Sequence, residues 1–200
     1  MLFRSGLIIQ KSSGMPLREF FKRRLFDPLG MTRTAIDDNG DIVPHRAAGY
    51  DSVDVQARTF RNAPYVSMTV PGAAGALRST IEDLVKWNVA LVAGKVVPHE
   101  YFQQMITPSL LSDGKLSSSN VFNRPPSLPD FDYGMGLHIQ MYEGHKRIGH
   151  SGTIQGFEAE MDRFPDDGIT VIVLSNTFDP KHKIATEIEN AALGIEAATP

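Results

Sequence analysis

The chain has 200 residues, of which 42% are hydrophobic and 22% charged, and a net charge of −3. That composition supports one sizeable core, in one domain or one domain plus part of another, and it carries no basic stripe for nucleic acid and no apolar run of membrane-spanning length. The absence of cysteine excludes disulfides, a thiol nucleophile and a Cys-based zinc site.

The start, "MLFRSGLIIQKSSG", is too short and too interrupted for a signal peptide and has no A-x-A cleavage site. Nothing in it directs export, and any upstream signal would lie outside these residues, so localisation stays open. Leu7, Ile8 and Ile9 form a first helical patch that "SSG" breaks. A second helix is predicted from Pro16, a residue tolerated in a first turn. Leu17, Phe20, Phe21 and Leu25 recur there at helical spacing, and Pro28 and Gly30 stop it. Residues 32–72 are rich in Asp, Asn, Gly and Pro without clear periodicity. They read as a long irregular crossing of the kind that serves a binding or lid role. In "RSTIEDLVKWNVALVAG", Ser79 and Glu82 are spaced as a capping box. Ile81, Leu84, Val85, Trp87, Leu91 and Val92 make the apolar side, and Gly94 ends the helix. A short helix follows Pro98. Residues 107–130, rich in Ser, Pro and Asn, read as a surface loop.

From Tyr133 the apolar period changes to two. Leu137, Ile139 and Met141 alternate with polar residues, as do Phe157, Ala159 and Met161, and "ITVIVLSN" is a continuous apolar run. Turns at Glu143-Gly144 and Asp166-Asp167-Gly168 imply hairpins. A last amphipathic helix is predicted over Ile184 to Leu193. The order is helices and long loops over 1–130, then an antiparallel three-stranded meander and a C-terminal helix over 131–200, an α+β arrangement.

The stretch "IGHSGTIQGF" lies between the first two strands. Gly149-His150-Ser151-Gly152 begins like G-x-S-x-G, but Thr153 holds the last position. A nucleophile elbow also needs a helix after the turn, and here an alternating strand follows. Read from the residues alone, His150 fits a half-buried strand histidine with one hydrogen bond as well as it fits a pocket residue. His138, His145 and His150 match no common ligand spacing, so no metal and no cofactor is expected. Tyr50 and Tyr133 fit either exposed loop aromatics or a pocket border.

In order and spacing, "FFKRRLFDPLGMTRTAI", "HRAAGYD", "GAAGALRSTIEDLVKW", "YGMGLHI", "GHSGTIQGF" and "FPDDGITVIVLSN" together resemble the serine β-lactamase-related family. That family comprises class C β-lactamases, penicillin-binding DD-peptidases and related esterases. The resemblance spans nearly the whole chain and implies the C-terminal part of one incomplete β-lactamase/transpeptidase-like domain. It also implies acyl transfer by a serine in S-x-x-K, a tyrosine in Y-x-N, and a third motif, K-T-G or H-x-G, on a strand beside the pocket. His150-Ser151-Gly152 matches the third motif. By the resemblance, Gly152 admits substrate to the backbone, the Thr153 amide is one oxyanion donor, and His150 and Ser151 supply polar groups. Gly75 would shape a substrate wall, and Tyr133 would border the pocket.

The S-x-x-K helix and Y-x-N lie, in the family, in sequence before the part matched here. Ser112-Asp113-Gly114-Lys115 fits S-x-x-K literally but sits in a Gly/Ser-rich loop. Ser118-Ser119-Asn120 fits S-x-N in the same loop. Neither is read as catalytic, so no nucleophile is assigned in this chain. The expected partner is a small ester, amide or β-lactam, with no nucleic acid and no membrane span. A second reading is a non-catalytic binding or scaffold module. In that reading an incomplete sheet exposes an edge that pairs with another copy or a complementing chain.

Overall fold

Helix α1 (Leu2–Ser13) opens the chain, and Pro16 precedes α2 (Leu17–Phe21), which continues into a π-helical turn over Lys22–Phe26. The structure is a computed structural model and describes residues 2–54, 57, 59–117, 131–178 and 184–196. The chain divides into two units. One holds Met1–Val96, Gly152–Ala159 and Leu174–Lys181. The other holds Val97–Ser151, Glu160–Val173 and His182–Pro200.

In the first unit the core includes Phe26, Met31, Ala76, Ala90 and Leu91. The crossing over 32–72 is more ordered than its composition suggests. It contains β1 (Ala35–Ile36), β2 (Tyr50–Asp54) and β3 (Thr59–Asn62). β1 pairs antiparallel with β4 (Leu77–Arg78), and β2 pairs antiparallel with β3. β10 (Thr177–Phe178) joins β2 in parallel. Charge holds the rest of the crossing. Asp37 is paired with Arg46 and, at 2.6 Å, with Arg78, while Asp41 is paired with Arg18 and, at 3.0 Å, with Arg78. The two arginines on Asp41 hold its carboxyl below the usual range.

Helix α3 (Ile81–Val92) starts one residue later than the predicted box. Thr80 is the N-cap and its hydroxyl accepts from the Asp83 amide, while Ser79 Oγ lies 2.8 Å from Thr34 Oγ1 instead. The helix is also rotated from the expected face. Asp83, Ala90 and Leu91 are buried, whereas Ile81, Val85 and Val89 are exposed. A buried carboxylate with dedicated donors overrides the apolar pattern. Asp83 Oδ2 accepts from the Arg33 amide at 2.8 Å and the Thr34 hydroxyl at 2.9 Å, and Oδ1 accepts from Lys86 Nζ at 2.8 Å.

In the second unit, α4 (His99–Met105) follows Pro98 as expected and buries Phe102. The sheet has five strands in sequence order rather than three. They are β5 (Asp132–Tyr133), β6 (His138–Tyr142), β7 (His145–Ile154), β8 (Phe157–Phe164) and β9 (Ile169–Ser175). β7 and β8 contribute residues to both units. The added strands are the short β5 and the long, polar β7, neither of which shows a clean apolar alternation. β6 and β7 form the predicted hairpin, with Tyr142 opposite His145. Its turn residues Glu143 and Gly144 have φ of 48° and 88°, both positive as a type I′ turn requires. Ile139, Ile148, Phe164 and Val171 are buried. Helix α5 (Ile184–Leu193) occupies the predicted range and buries Ala185 and Glu189, one helical turn apart. Met141, which the alternation places inward, is exposed.

Candidate functional site

β7 has the sequence HKRIGHSGTI, and Gly149 marks a change in its surroundings. Up to Gly149 the strand lies between β6 and β8, and the β6 register ends at the pair His138–Gly149. A two-residue hairpin makes Tyr142 and His145 a mutually hydrogen-bonded pair, so every second residue of β7 turns its amide and carbonyl toward β6. By that alternation the Ser151 amide points to the β6 side, past the end of that strand. Ser151, Gly152 and Thr153 are exposed.

The two glycines of this stretch differ. A Cβ on Gly149 would lie 1.9 Å from Asp162 Oδ1 and 2.4 Å from the Met161 carbonyl, so the strand backbones meet there at a distance only glycine allows. A Cβ on Gly152 would meet nothing within 4 Å among the described residues. Gly156, in the turn before β8, combines a φ of 74° with the Gly49 backbone 2.7 Å from its would-be Cβ, so no other residue fits there without strain.

His150 is held at both ring nitrogens. Nδ1 lies 2.6 Å from the Ser151 carbonyl oxygen, which only accepts, so Nδ1 carries the proton. In the neutral ring Nε2 is then the acceptor, and the Tyr133 hydroxyl, 3.1 Å away, donates to it. The face of His150 stacks on His138 at 4.6 Å between centroids, and His138 stacks on Phe131 at 4.1 Å. Burial raises the Tyr133 phenol above its ordinary value.

Beside this cluster lies a small cavity of about 140 Å³, lined by His138, Gln140, Arg147, Ser151, Glu160 and Asp162 among others. Its floor is acidic. Arg147 Nη1 donates to Glu189 Oε2 at 2.8 Å and lies 3.9 Å from Asp162 Oδ2. With its amide turned to suit, Gln140 accepts from Arg147 through its oxygen. Ligand atoms of Glu160, Asp162 and Glu189 all lie within 4.8 Å of one another. Three carboxylates share one guanidinium, and protons relieve the excess charge. Burial, then the neighbouring Asp162, pushes Glu160 up to about 7. Burial pushes Asp162 up to about 6, Arg147 opposing it and Glu189 adding to it. The composition of residues 140–189 shows these acids, but nothing in it shows that they converge, because Glu189 comes from a helix and the others from a strand.

Residues 5–194 match the model of the Beta-lactamase family. The chain belongs to that family. It is 25% identical over 190 residues to a D-aminopeptidase of Cereibacter sphaeroides, covering 95% of this chain and 33% of that protein. The structure of an octameric penicillin-binding protein homologue from Pyrococcus abyssi matches with a TM-score of 0.70 at 27% identity, over 94% of this chain and 40% of that one. A D-amino acid amidase from Ochrobactrum anthropi shares the fold, with a TM-score of 0.73 at 24% identity over 96% of this chain and 54% of that one. The chain therefore spans about a third of the length of the curated relative and about half or less of the structural neighbours.

Of the residues the resemblance marks, His150, Ser151, Gly152 and Thr153 follow one another on β7, and Tyr133 is hydrogen-bonded to His150. Gly75 is exposed in the first unit, after a 3-10 turn over Gly72–Ala74, with an extended φ of −169° that any residue adopts. Ser112 to Lys115 forms an exposed turn rather than a helix, and Lys115 Nζ is engaged by Asp113 at 2.9 Å. The S-x-N at Ser118 to Asn120 lies outside the described residues. Among the described residues no helix is long and apolar enough to cross a membrane. The partners of Tyr133 and the convergence of Arg147 with three acids were not legible in the sequence. Tyr133 and His150 are 17 positions apart, and only the pairing of β5, β6 and β7 brings them together.

Proposed function

We propose that this chain supplies the oxyanion-side wall of a serine hydrolase that cleaves an amide through an acyl-enzyme. The observation that carries the reading is Gly152. A glycine inside a strand weakens it, and neighbours that crowd the Cβ position usually explain its presence. Here that position is open. A group from outside the chain, lying against the backbone, supplies the missing reason, and a substrate carbonyl is such a group. The Ser151 amide points to the edge beyond β6, and in this reading the Thr153 N–H meets a developing oxyanion. The amide class follows from the relative described as a D-aminopeptidase; esters and β-lactams are the other members of the same carbonyl chemistry.

In this reading the attacking serine of S-x-x-K and the tyrosine of Y-x-N come from sequence beyond these 200 residues. The serine oxygen bonds to the carbonyl carbon and the carbonyl oxygen gains negative charge. Thr153 N–H and the nucleophile's own amide stabilise that charge, the amine leaves with a proton, and water hydrolyses the ester. His150 and Ser151 line the same wall.

Gly152→Ala is the direct test, made in the hydrolase complete with its S-x-x-K segment. The added methyl meets nothing among the described residues, so the unfolding midpoint should hold. Hydrolysis of a D-alanyl anilide should fall about 100-fold in kcat/KM, the scale of losing an oxyanion contact. Full activity in this variant would remove the argument. A labelled fluorophosphonate should leave no adduct on this chain alone, and an adduct at Ser112 or Ser151 would reassign the nucleophile.

One observation favours the pairing reading. β9 is the last strand of the sheet, so its outer edge has no strand partner among the described residues. The Pyrococcus relative is described as octameric. Light scattering should then show a concentration-dependent rise in mass, and a monomer throughout would dismiss it.

A further inference from the structure

We infer that Tyr133 is the positioning residue of His150, holding its imidazole as the Nδ1–H tautomer so that the ring ties down the Ser151 carbonyl at the open end of β7. The inference deepens the proposed wall and rests on that reading for its catalytic consequence, but its geometric content stands separately. Three contacts define it. The Tyr133 hydroxyl lies 3.1 Å from Nε2, Nδ1 lies 2.6 Å from the Ser151 carbonyl oxygen, and His138 stacks on the ring at 4.6 Å.

The chemistry of each atom gives the direction. A carbonyl oxygen only accepts, so the proton must be on Nδ1. A neutral imidazole then has one lone pair, on Nε2, and the Tyr133 hydroxyl occupies it. The Nδ1–H form is the less populated tautomer of free histidine, so it needs a donor at Nε2 to persist, and Tyr133 is that donor. Neither nitrogen is left to take a proton from a nucleophile. His150 therefore acts by fixing the Ser151–Gly152 peptide, whose orientation sets where the next amide, that of Thr153, points. Past Gly149, β6 gives no ladder bonds to hold that peptide, so the side-chain tie replaces them. The aromatic stack of Phe131, His138 and His150 restricts ring rotation in the same sense.

The test is the two-bond proton–nitrogen NMR spectrum of the chain labelled with 15N-histidine, which reads each tautomer directly. Wild type should show His150 with a protonated Nδ1 and an unprotonated Nε2 at neutral pH. Tyr133→Phe keeps the ring and removes only the donor, and should convert His150 to a tautomer mixture or to the Nε2–H form. In the complete hydrolase the same variant should lower kcat by about ten- to a hundred-fold while KM changes little, as expected for a misplaced donor. An Nε2–H tautomer in wild type overturns the inference without any variant. So does an unchanged tautomer in a folded Tyr133→Phe protein. The expected tautomers in a complete protein with no amidase activity would instead count against the proposed function and leave the positioning role intact.

Discussion

Replacing Asp83 by alanine should lower the unfolding free energy by about 3 kcal/mol, the scale of breaking a buried, hydrogen-bonded charge pair. Asp83 is 2% exposed and takes the Arg33 amide, the Thr34 hydroxyl and Lys86 Nζ. Alanine leaves the Arg33 amide without its acceptor, while the Thr34 hydroxyl keeps Ser79 Oγ at 2.8 Å. Lys86 fares better, because it keeps the Gly30 carbonyl at 2.7 Å and reaches solvent. Asparagine retains an acceptor for Thr34 or Arg33 but loses the charge, and should cost about half as much. Burial by itself raises the Asp83 carboxyl, but Lys86, the Arg33 amide and the Thr34 hydroxyl outweigh it, and the net direction is below 3.8. The stability it contributes is therefore present above its unfolded value and is lost as pH falls through the lowered folded value. Urea titration at neutral pH and at pH 3 checks both points. A loss below about 1 kcal/mol at neutral pH would mean that the burial and the three bonds do not hold the helix as described.

The acids of the second unit should act in the opposite direction. Glu160 and Asp162 on β8 face Arg147 on β7, Gln140 on β6 and Glu189 on α5. Asp162 Oδ2 and Glu189 Oε1 have no hydrogen-bond partner among the described residues when the carboxylates are taken as charged. The folded chain keeps a proton on Glu160 up to about 7, whereas the unfolded chain releases it near 4.5. Between those values the folded state binds more protons than the unfolded state, so stability falls as pH rises from about 4.5 to about 7 and is level above that. Asp162 adds to the fall between 3.8 and about 6. The size is roughly 1–3 kcal/mol, since the two sites share protons. Glu160→Gln should be more stable than wild type at pH 8 by that amount and nearly unchanged at pH 5. Thermal unfolding at the two pH values decides it. A wild type as stable at pH 8 as at pH 5, together with a neutral Glu160→Gln, would show that the acids are not crowded in solution. With Asp83 limiting stability on the acid side, the optimum is expected near pH 5.

The local punctuation of this chain carried most of its helices. Pro16, Pro98 and Gly94 bound segments that fold as read, Glu143-Gly144 makes the turn it signals, and the range of α5 coincides with its apolar period. These signals work because a proline or a tight turn restricts φ and ψ whatever surrounds it. Strands without an apolar face did not announce themselves. β3 is exposed along its whole length, and β7 mixes lysine, arginine, histidine and glycine. Each pairs with the strand next to it in sequence through backbone bonds, which no apolar period records.

Residue order alone was enough to place the chain among β-lactamase-related proteins, because short motifs in a given succession survive where overall identity is low. Charge inside the protein was beyond its reach. Asp83, Asp162 and Glu189 look like surface acids in the sequence and are buried in the fold. Whether a carboxylate can be buried depends on donors and protons that other elements bring to it, and Arg33, Thr34 and Arg147 reach them only after the chain has folded. The same holds for the tie between Tyr133 and His150, which lies where the β6 ladder ends at the pair His138–Gly149.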